Sequence, residues 1–249
     1  MTSDVMVVDV SQDWMVACDV QQRFMRGAER AAGRLDYSAR CRQMRALGGD
    51  CYEFMALGEN RLALTIGDAS GKGLAAALMI SNAQSSLRTA TFFTGNDLAA
   101  AVSAVNRQVH ACSFEDRYAT LFHGVFDGAS GELRFVNAGH NLPVVMRRDG
   151  SVSWLQTGGA PVGMFPDWKY EEGAVRLKRG DLVLAYTDGV IEAENPSGEE
   201  WGVDGLLRAV AGNREARADE VVDTIFTAMD EFSHGRQTDD ATAIVLRVM

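Results

Sequence analysis

The stretch Gly67-Asp68-Ala69-Ser70-Gly71-Lys72-Gly73 constrains the architecture more than any other part of the chain. Before it, Leu62, Leu64 and Ile66 recur at period two across Arg61–Ile66, the pattern of a strand with one face in a core. After it, Leu74-Ala75-Ala76-Ala77-Leu78-Met79-Ile80 is rich in strong helix formers. One carboxylate, Asp68, is thereby set at a strand-to-helix joint. Three glycines let the backbone turn there and approach a ligand closely. The stretch is not a Walker A loop: three residues separate Gly67 from Gly71, and Gly73 follows Lys72 where that loop has Ser or Thr. Joints of this kind are common, so its meaning depends on what else in the chain shares its form.

Bulk properties exclude several classes. The 249 residues suffice for one large domain or two small ones. A formal net charge of −10 argues against a nucleic-acid surface, which needs a basic face. It suits a site crowded with carboxylates that a cation would partly neutralise. Cys18, Cys41, Cys51 and Cys112 show no CxxC spacing, so a zinc knuckle or redox pair is not expected. Their scatter points to reduced thiols and a cytoplasmic protein. Met1-Thr2-Ser3-Asp4 lacks the basic start of a signal peptide, and no uncharged apolar run is long enough for a membrane span.

Along the chain, Trp14, Cys18, Gln21, Met25, Ala28, Ala32 and Leu35 form a heptad stripe, predicting a helix over Asp13–Leu35. That helix either packs on its own domain or makes a homodimer or input-domain contact. Residues 1–35 are read as a helical lead-in and 36–249 as the main domain. Strands are expected at Tyr37–Leu47, Cys51–Leu57 and Arg61–Ile66, and helices at Leu74–Thr91 and from an Asn96 cap to Cys112. A second β block follows at Tyr118–Phe126, Glu132–Asn137, Pro143–Arg148, Val152–Leu155, Tyr170–Leu177 and Leu182–Thr187. Gln156–Trp168 is a long irregular loop, and Trp168 a candidate for a substrate rim. Ile191–Val203 is polar surface, helices are expected at Gly205–Ala211 and Asp219–Phe232, and Ala241–Val248 is a last strand. Antiparallel strand groups with paired helices predict an α+β sandwich, two sheets face to face with helices outside.

Four aspartates share one local form. Asp50 follows Gly48-Gly49, Asp68 follows Gly67, Asp188 ends an apolar strand before Gly189, and Asp239 opens the approach to the last strand. Any one of them alone reads as a turn or cap residue. Four at sheet rims suggest convergence, and converging carboxylates raise one another's pKa unless a cation joins them. Hard oxygen ligands suit magnesium or manganese rather than zinc. A carboxylate shared by two such ions would hold them roughly 4 Å apart and acidify a bridging water, a nucleophile suited to phosphate monoesters.

The motifs Gly48-Gly49-Asp50, Gly67 to Gly73, Arg117-Tyr118-Ala119-Thr120-Leu121, Asn137-Ala138-Gly139-His140, Gly180-Asp181, Tyr186-Thr187-Asp188-Gly189 with Glu192, and Gln237 to Thr242 follow one another in order. In this the chain resembles the bacterial metal-dependent serine/threonine phosphatases of the PPM/PP2C class, in the subgroup typified by the stage II sporulation protein E phosphatase domain. Asp19–Met25 is also similar to the helix leading into that domain. The resemblance implies a four-layer α/β/β/α sandwich of two antiparallel sheets flanked by helix pairs. It implies two Mn²⁺ or Mg²⁺ ions, bridged by Asp68, completed by the Ala69 carbonyl, and held further by Asp188, Asp239 and, through water or directly, Asp50. The helices from Leu74 to Cys112 would correspond to a regulatory switch element. Ser70 and His140 stand where broader relatives carry a proposed acid and a third-metal aspartate, which leaves the general acid and a third ion open. Lys72 would meet substrate phosphate or be salt-bridged, and His140 would donate a proton or make a structural hydrogen bond.

The resulting expectation is a phosphoserine/phosphothreonine phosphatase in stress-response signalling. Its substrate would be a phosphorylated regulator such as an anti-sigma-factor antagonist, and its input would come from an upstream activator or sensor protein. A catalytically silent phosphatase-like binding module and a hydrolase of small phosphate esters are the alternatives.

Overall fold

Alternating apolar side chains build two sheets, and each sheet has both faces covered. The computed structural model describes residues 10–25, 35–58, 60–113, 117–213 and 215–249. Helix α1 (Val10–Phe24) leads into β1 (Leu35–Arg42), β2 (Asp50–Ala56) and β3 (Arg61–Ala69). The helix pair α2 (Leu74–Thr94) and α3 (Leu98–Cys112) precedes β4 (Ala119–Asp127), β5 (Glu132–Ala138), β6 (Val144–Met146), β7 (Val152–Trp154), β8 (Gly158–Gly159), β9 (Gly173–Arg176) and β10 (Leu182–Tyr186). A short α4 (Asp188–Ile191), α5 (Gly202–Ala211), α6 (Ala218–Ser233) and β11 (Ala241–Val248) complete the described elements.

One sheet runs β1-β11-β10-β6-β7, the other β2-β3-β4-β5-β8 with β9 also on β5. Only the two-residue β5–β8 pairing is parallel among the described strands. On β3, Leu62, Leu64 and Ile66 point into the space between the sheets, where they join Phe122, Val183 and Ile244. The opposite face, through Ala63 and Ala69, meets Ile80, Leu87, Val102 and Val105 of the α2–α3 pair. The other sheet's outer face, through Leu184 and Tyr186, packs on Val222, Ile225 and Phe226 of α6. Each such large apolar side chain contributes about 1.5–3 kcal/mol when fully buried. The layers are helix, sheet, sheet, helix, as the strand groups predicted. No described helix is long and apolar enough to cross a membrane.

The boundaries differ from the sequence reading where tertiary pairing overrides local pattern. The helix expected over Asp13–Leu35 ends at Phe24. Leu35 instead pairs with Val248 in β1, while Ala28 and Ala32 lie outside the described residues. Asp97, not Asn96, caps α3, its carboxylate accepting from Ala100 N at 2.8 Å. Asn96 is taken by the Arg61 guanidinium. β3 continues past Ile66, because Asp68 is laddered to Asp50 on one side and Thr120 on the other. The loop before Trp168 is held by buried Asn106, which donates to the Phe165 carbonyl and accepts from Gly163 N, both at 2.8 Å.

Candidate active site

The four aspartates singled out in the sequence come from both sheets. Asp50 and Asp68 are cross-strand partners at the end of β2 and β3. From the other sheet, Asp188 comes one residue after β10, following Thr187, and Asp239 lies just before β11. The ends of β10 and β11 are tied together: Thr187 N donates to the Thr242 carbonyl at 3.0 Å, and Thr242 N donates to Thr187 Oγ1 at 2.9 Å. Both hydroxyls then reach across to the opposite sheet. Thr187 and Thr242 Oγ1 donate to Asp50 Oδ2 at 2.8 and 2.6 Å. These two bonds fasten the sheets at the end of the sandwich where the acidic residues gather.

Two glycines make the approach close enough. A Cβ on Gly49 would lie 3.1 Å from the Ala69 carbonyl oxygen and 3.2 Å from Asp68 Oδ1, crowding both. A Cβ on Gly189 would lie 1.9 Å from the Asp240 carbonyl oxygen, so only glycine lets the α4 start cross the chain entering β11. Asp240 holds the Gly48-Gly49 turn in place: its Oδ1 accepts from Met44 N and its Oδ2 from Gly49 N, both at 2.7 Å. On the other side of that turn, Gln21 of α1 donates to the Gly48 carbonyl at 2.7 Å and accepts from Gly48 N at 3.2 Å.

The electrostatics show a cluster short of positive charge. Burial, then repulsion from Asp188, Asp239 and Asp240, raises Asp68 to about 7. Burial and the Asp68 charge push Asp50 well above the ordinary carboxylate range, against the pull of its two threonine hydroxyls. Asp188 is raised too, chiefly by burial, although Gly189 N donates to it. Glu192 is raised by burial and by Asp188. These shifts have the direction that crowded carboxylates produce without a counter-ion. The cation in contact is Lys72, whose Nζ donates to Asp239 Oδ2 at 2.8 Å.

The side chains are occupied by protein partners rather than arranged as a closed ligand cage. Among the described residues, no three Asp, Glu, His or Cys side chains stand together as a ready metal-binding group. Asp50 is turned onto threonines, Asp239 onto Lys72 and Asp240 onto amides. The donor set nevertheless fits hard divalent cations: carboxylate oxygens, the Ala69 carbonyl beside Asp68 Oδ1, and a shared excess of negative charge.

His140 is buried. It is 4% exposed, its Nδ1 is 2.9 Å from Thr120 Oγ1, and burial lowers its pKa to about 3. Thr120 Oγ1 in turn contacts the Asp68 carbonyl at 3.4 Å. The backbone N–H of His140 donates to Asn137 Oδ1 at 2.7 Å, so the Asn137-Ala138-Gly139-His140 turn is closed on itself. His140 thus makes hydrogen bonds of the kind that one of its two expected roles calls for, and its burial sets it apart from the exposed Lys72. The sequence reading gave no role to Thr187, Thr242, Asp240 or Gln21. The first three stand inside quoted motifs, and Gln21 was the one polar member of an apolar stripe.

A two-sheet sandwich flanked by helix pairs, with acidic residues from both sheets at one end, defines a PP2C-type phosphatase fold. The chain belongs to the stage II sporulation protein E (SpoIIE) family, whose model matches residues 58–249. It is 28% identical over 235 residues to the protein IcfG of Synechocystis, covering 81% of this chain and 36% of IcfG. It is 26% identical to the phosphoserine phosphatase RsbU of Bacillus subtilis, covering 96% of this chain and 71% of RsbU. The crystal structure of the RsbU and RsbW domains of Rv1364c from Mycobacterium tuberculosis superposes with a TM-score of 0.74 at 28% identity, over 88% of this chain and 61% of that one. The chain thus spans about a third of the length of IcfG.

Proposed function

We propose that this protein is a divalent-cation-dependent phosphatase of phosphoserine and phosphothreonine in a regulatory protein. The observation that carries the reading is the convergence of Asp50, Asp68, Asp188 and Asp239 on one end of the sandwich, with carboxyl pKa values raised at the first three. Two structural neighbours of the same fold support the choice of cation. The PstP catalytic domain is in complex with two manganese ions, and RsbX is in complex with magnesium. In this chain Asp68 would serve both of two Mn²⁺ or Mg²⁺ ions, the Ala69 carbonyl would complete one, Asp188 and Asp239 would hold the other, and Asp50 would act through water or directly. Such cations supply charge neutralisation at the phosphoryl oxygens and an acidified water.

The chain's own residues do the rest. Thr187 and Thr242 hold Asp50 in position by donating to one of its oxygens, and their pull opposes the rise in its pKa that burial and Asp68 cause. The Gly48-Gly49 turn, fixed by Asp240 and Gln21, keeps the Asp68 carboxylate uncovered. Likeness to the phosphoserine phosphatase RsbU supports a phosphoserine substrate; the family resemblance makes a phosphorylated anti-sigma-factor antagonist the candidate, with an activator or sensor protein upstream. The exposed Met15, Val16 and Val20 of α1 are where a homodimer or input contact would form.

Release of inorganic phosphate from a phosphoserine protein, measured with and without Mn²⁺, tests this. Turnover that needs Mn²⁺ and is lost in Asp188→Asn supports it. No turnover on any phosphoprotein, with tight phosphoprotein binding, would leave a non-catalytic binding module in its place.

A further inference from the structure

Lys72 is the one cation in hydrogen-bond contact with the acidic cluster among the described residues. Its pair with Asp239 is half exposed on both sides, at 51% and 44%. An exposed pair of this kind is weak, on the order of 0.2–1 kcal/mol. The backbone beneath it needs glycine: Gly71 and Gly73, on either side, have φ of +92° and +75°, a region that favours glycine. Lys72 is thus carried on a short strap between two permissive positions, at the joint where β3 gives way to α2.

We propose that Lys72 is an exchangeable counter-ion: it holds Asp239 until a divalent cation takes that carboxylate, and then turns to the dianionic phosphoryl group of the substrate. The inference rests on the two-cation reading above and adds an order to it. A doubly charged ion binding the Asp239 carboxylate weakens its bond to the ammonium, because the two cations repel each other. A cation that engages Asp68 and Asp188 as well as Asp239 outcompetes a single solvated ammonium. Once displaced, Lys72 is pushed away from the cation and drawn to the nearest anion, which during turnover is the phosphate. Cation loading therefore precedes and prepares phosphate recognition.

The sequence makes the test clean, because the chain has only three lysines, Lys72, Lys169 and Lys178. Mn²⁺ binding to the full chain is followed by loss of the free-ion EPR signal in wild type, Lys72→Met and Lys72→Arg. The lysine ε-CH₂ carbons are followed by NMR during Mg²⁺ titration of wild type and Asp239→Asn. The proposal expects Lys72→Met to bind Mn²⁺ up to about five-fold more tightly than wild type, with Lys72→Arg close to wild type. It expects Mg²⁺ to move the Lys72 signal and leave Lys169 and Lys178 in place. In Asp239→Asn, the Lys72 signal should start displaced. It is overturned if saturating Mg²⁺ shifts the Gly189 amide but not the Lys72 signal, or if Lys72→Met binds Mn²⁺ no better than Lys72→Arg. Failure of Mn²⁺ to bind any of the three proteins would instead remove the two-cation reading, and this proposal with it.

Discussion

Asp188 shows how function and stability pull apart at a single residue. Its carboxyl is half-buried beside Asp239, and a backbone amide is its described donor. Replacing it with Asn removes one charge from a mutually repelling set. Asp188→Asn should therefore lower phosphate release at saturating Mn²⁺ by about 10²-fold or more. The same variant should melt at a higher temperature than wild type in chelator, because repulsion is relieved. Calorimetry and a phosphate assay on one preparation check both. Thr242→Val acts in the opposite sense: Asp50 keeps a single hydroxyl partner while staying buried, and stability should fall by about 1–3 kcal/mol in urea denaturation. The aspartates were legible because each stands beside a glycine or next to one end of a strand. The threonines were not, since Thr has high strand propensity and a Thr at a strand end reads as ordinary β sequence.

At the scale of elements, α1 illustrates what periodicity can and cannot tell. The heptad stripe identified a helix, and Trp14, Cys18 and Gln21 do share a side of it. The stripe also ran on through Leu35, where β1 begins by pairing with Val248. Apolar spacing is blind to a strand partner more than two hundred residues away. Nor could it show that Gln21 is 5% exposed and hydrogen-bonded to both backbone groups of Gly48. Gln21→Leu should leave Gly48 N and C=O without those partners, costing about 1–3 kcal/mol in equilibrium unfolding. Because Gly48 leads into Gly49 and Asp50, the same variant should weaken Mn²⁺ binding by EPR, with Gln21→Glu retaining more of it than Gln21→Leu. Equal affinity in all three proteins would show that the helix and the acidic turn are independent.

For the whole molecule, stability should fall in mild acid for a reason separate from the acidic cluster. His123 is fully buried between β3 and α2, with Nδ1 2.9 Å from Thr65 Oγ1 and Nε2 3.2 Å from Thr91 Oγ1. Thr91 already donates to the Leu87 carbonyl, so it accepts from Nε2–H, and Thr65 donates to Nδ1. Burial favours this neutral form and lowers the pKa from 6.5 to about 4, against a backbone bond at Leu64 that favours the charged ring. The unfolded chain takes up that proton near pH 6.5 while the folded one resists until about 4. The stability His123 confers is thus present above pH 6.5 and is lost as pH falls to 4, by about 3 kcal/mol in all. Urea midpoints across that range should show the slope, and His123→Gln should reduce it. The two sheets could be read from alternation alone, and so could their helix cover. Which strand ends meet could not, because spacing along a chain does not say where a sheet's rim lies in space, and only the order of the motifs pointed to it. The threonine bridge from β10 and β11 to Asp50 has one more implication. Half of the acidic set belongs to each sheet, so neither sheet alone carries a usable centre, and any loosening of the core between them, however remote, should register first as a drop in cation affinity. Manganese uptake would then serve as a gauge of how tightly the sandwich is shut.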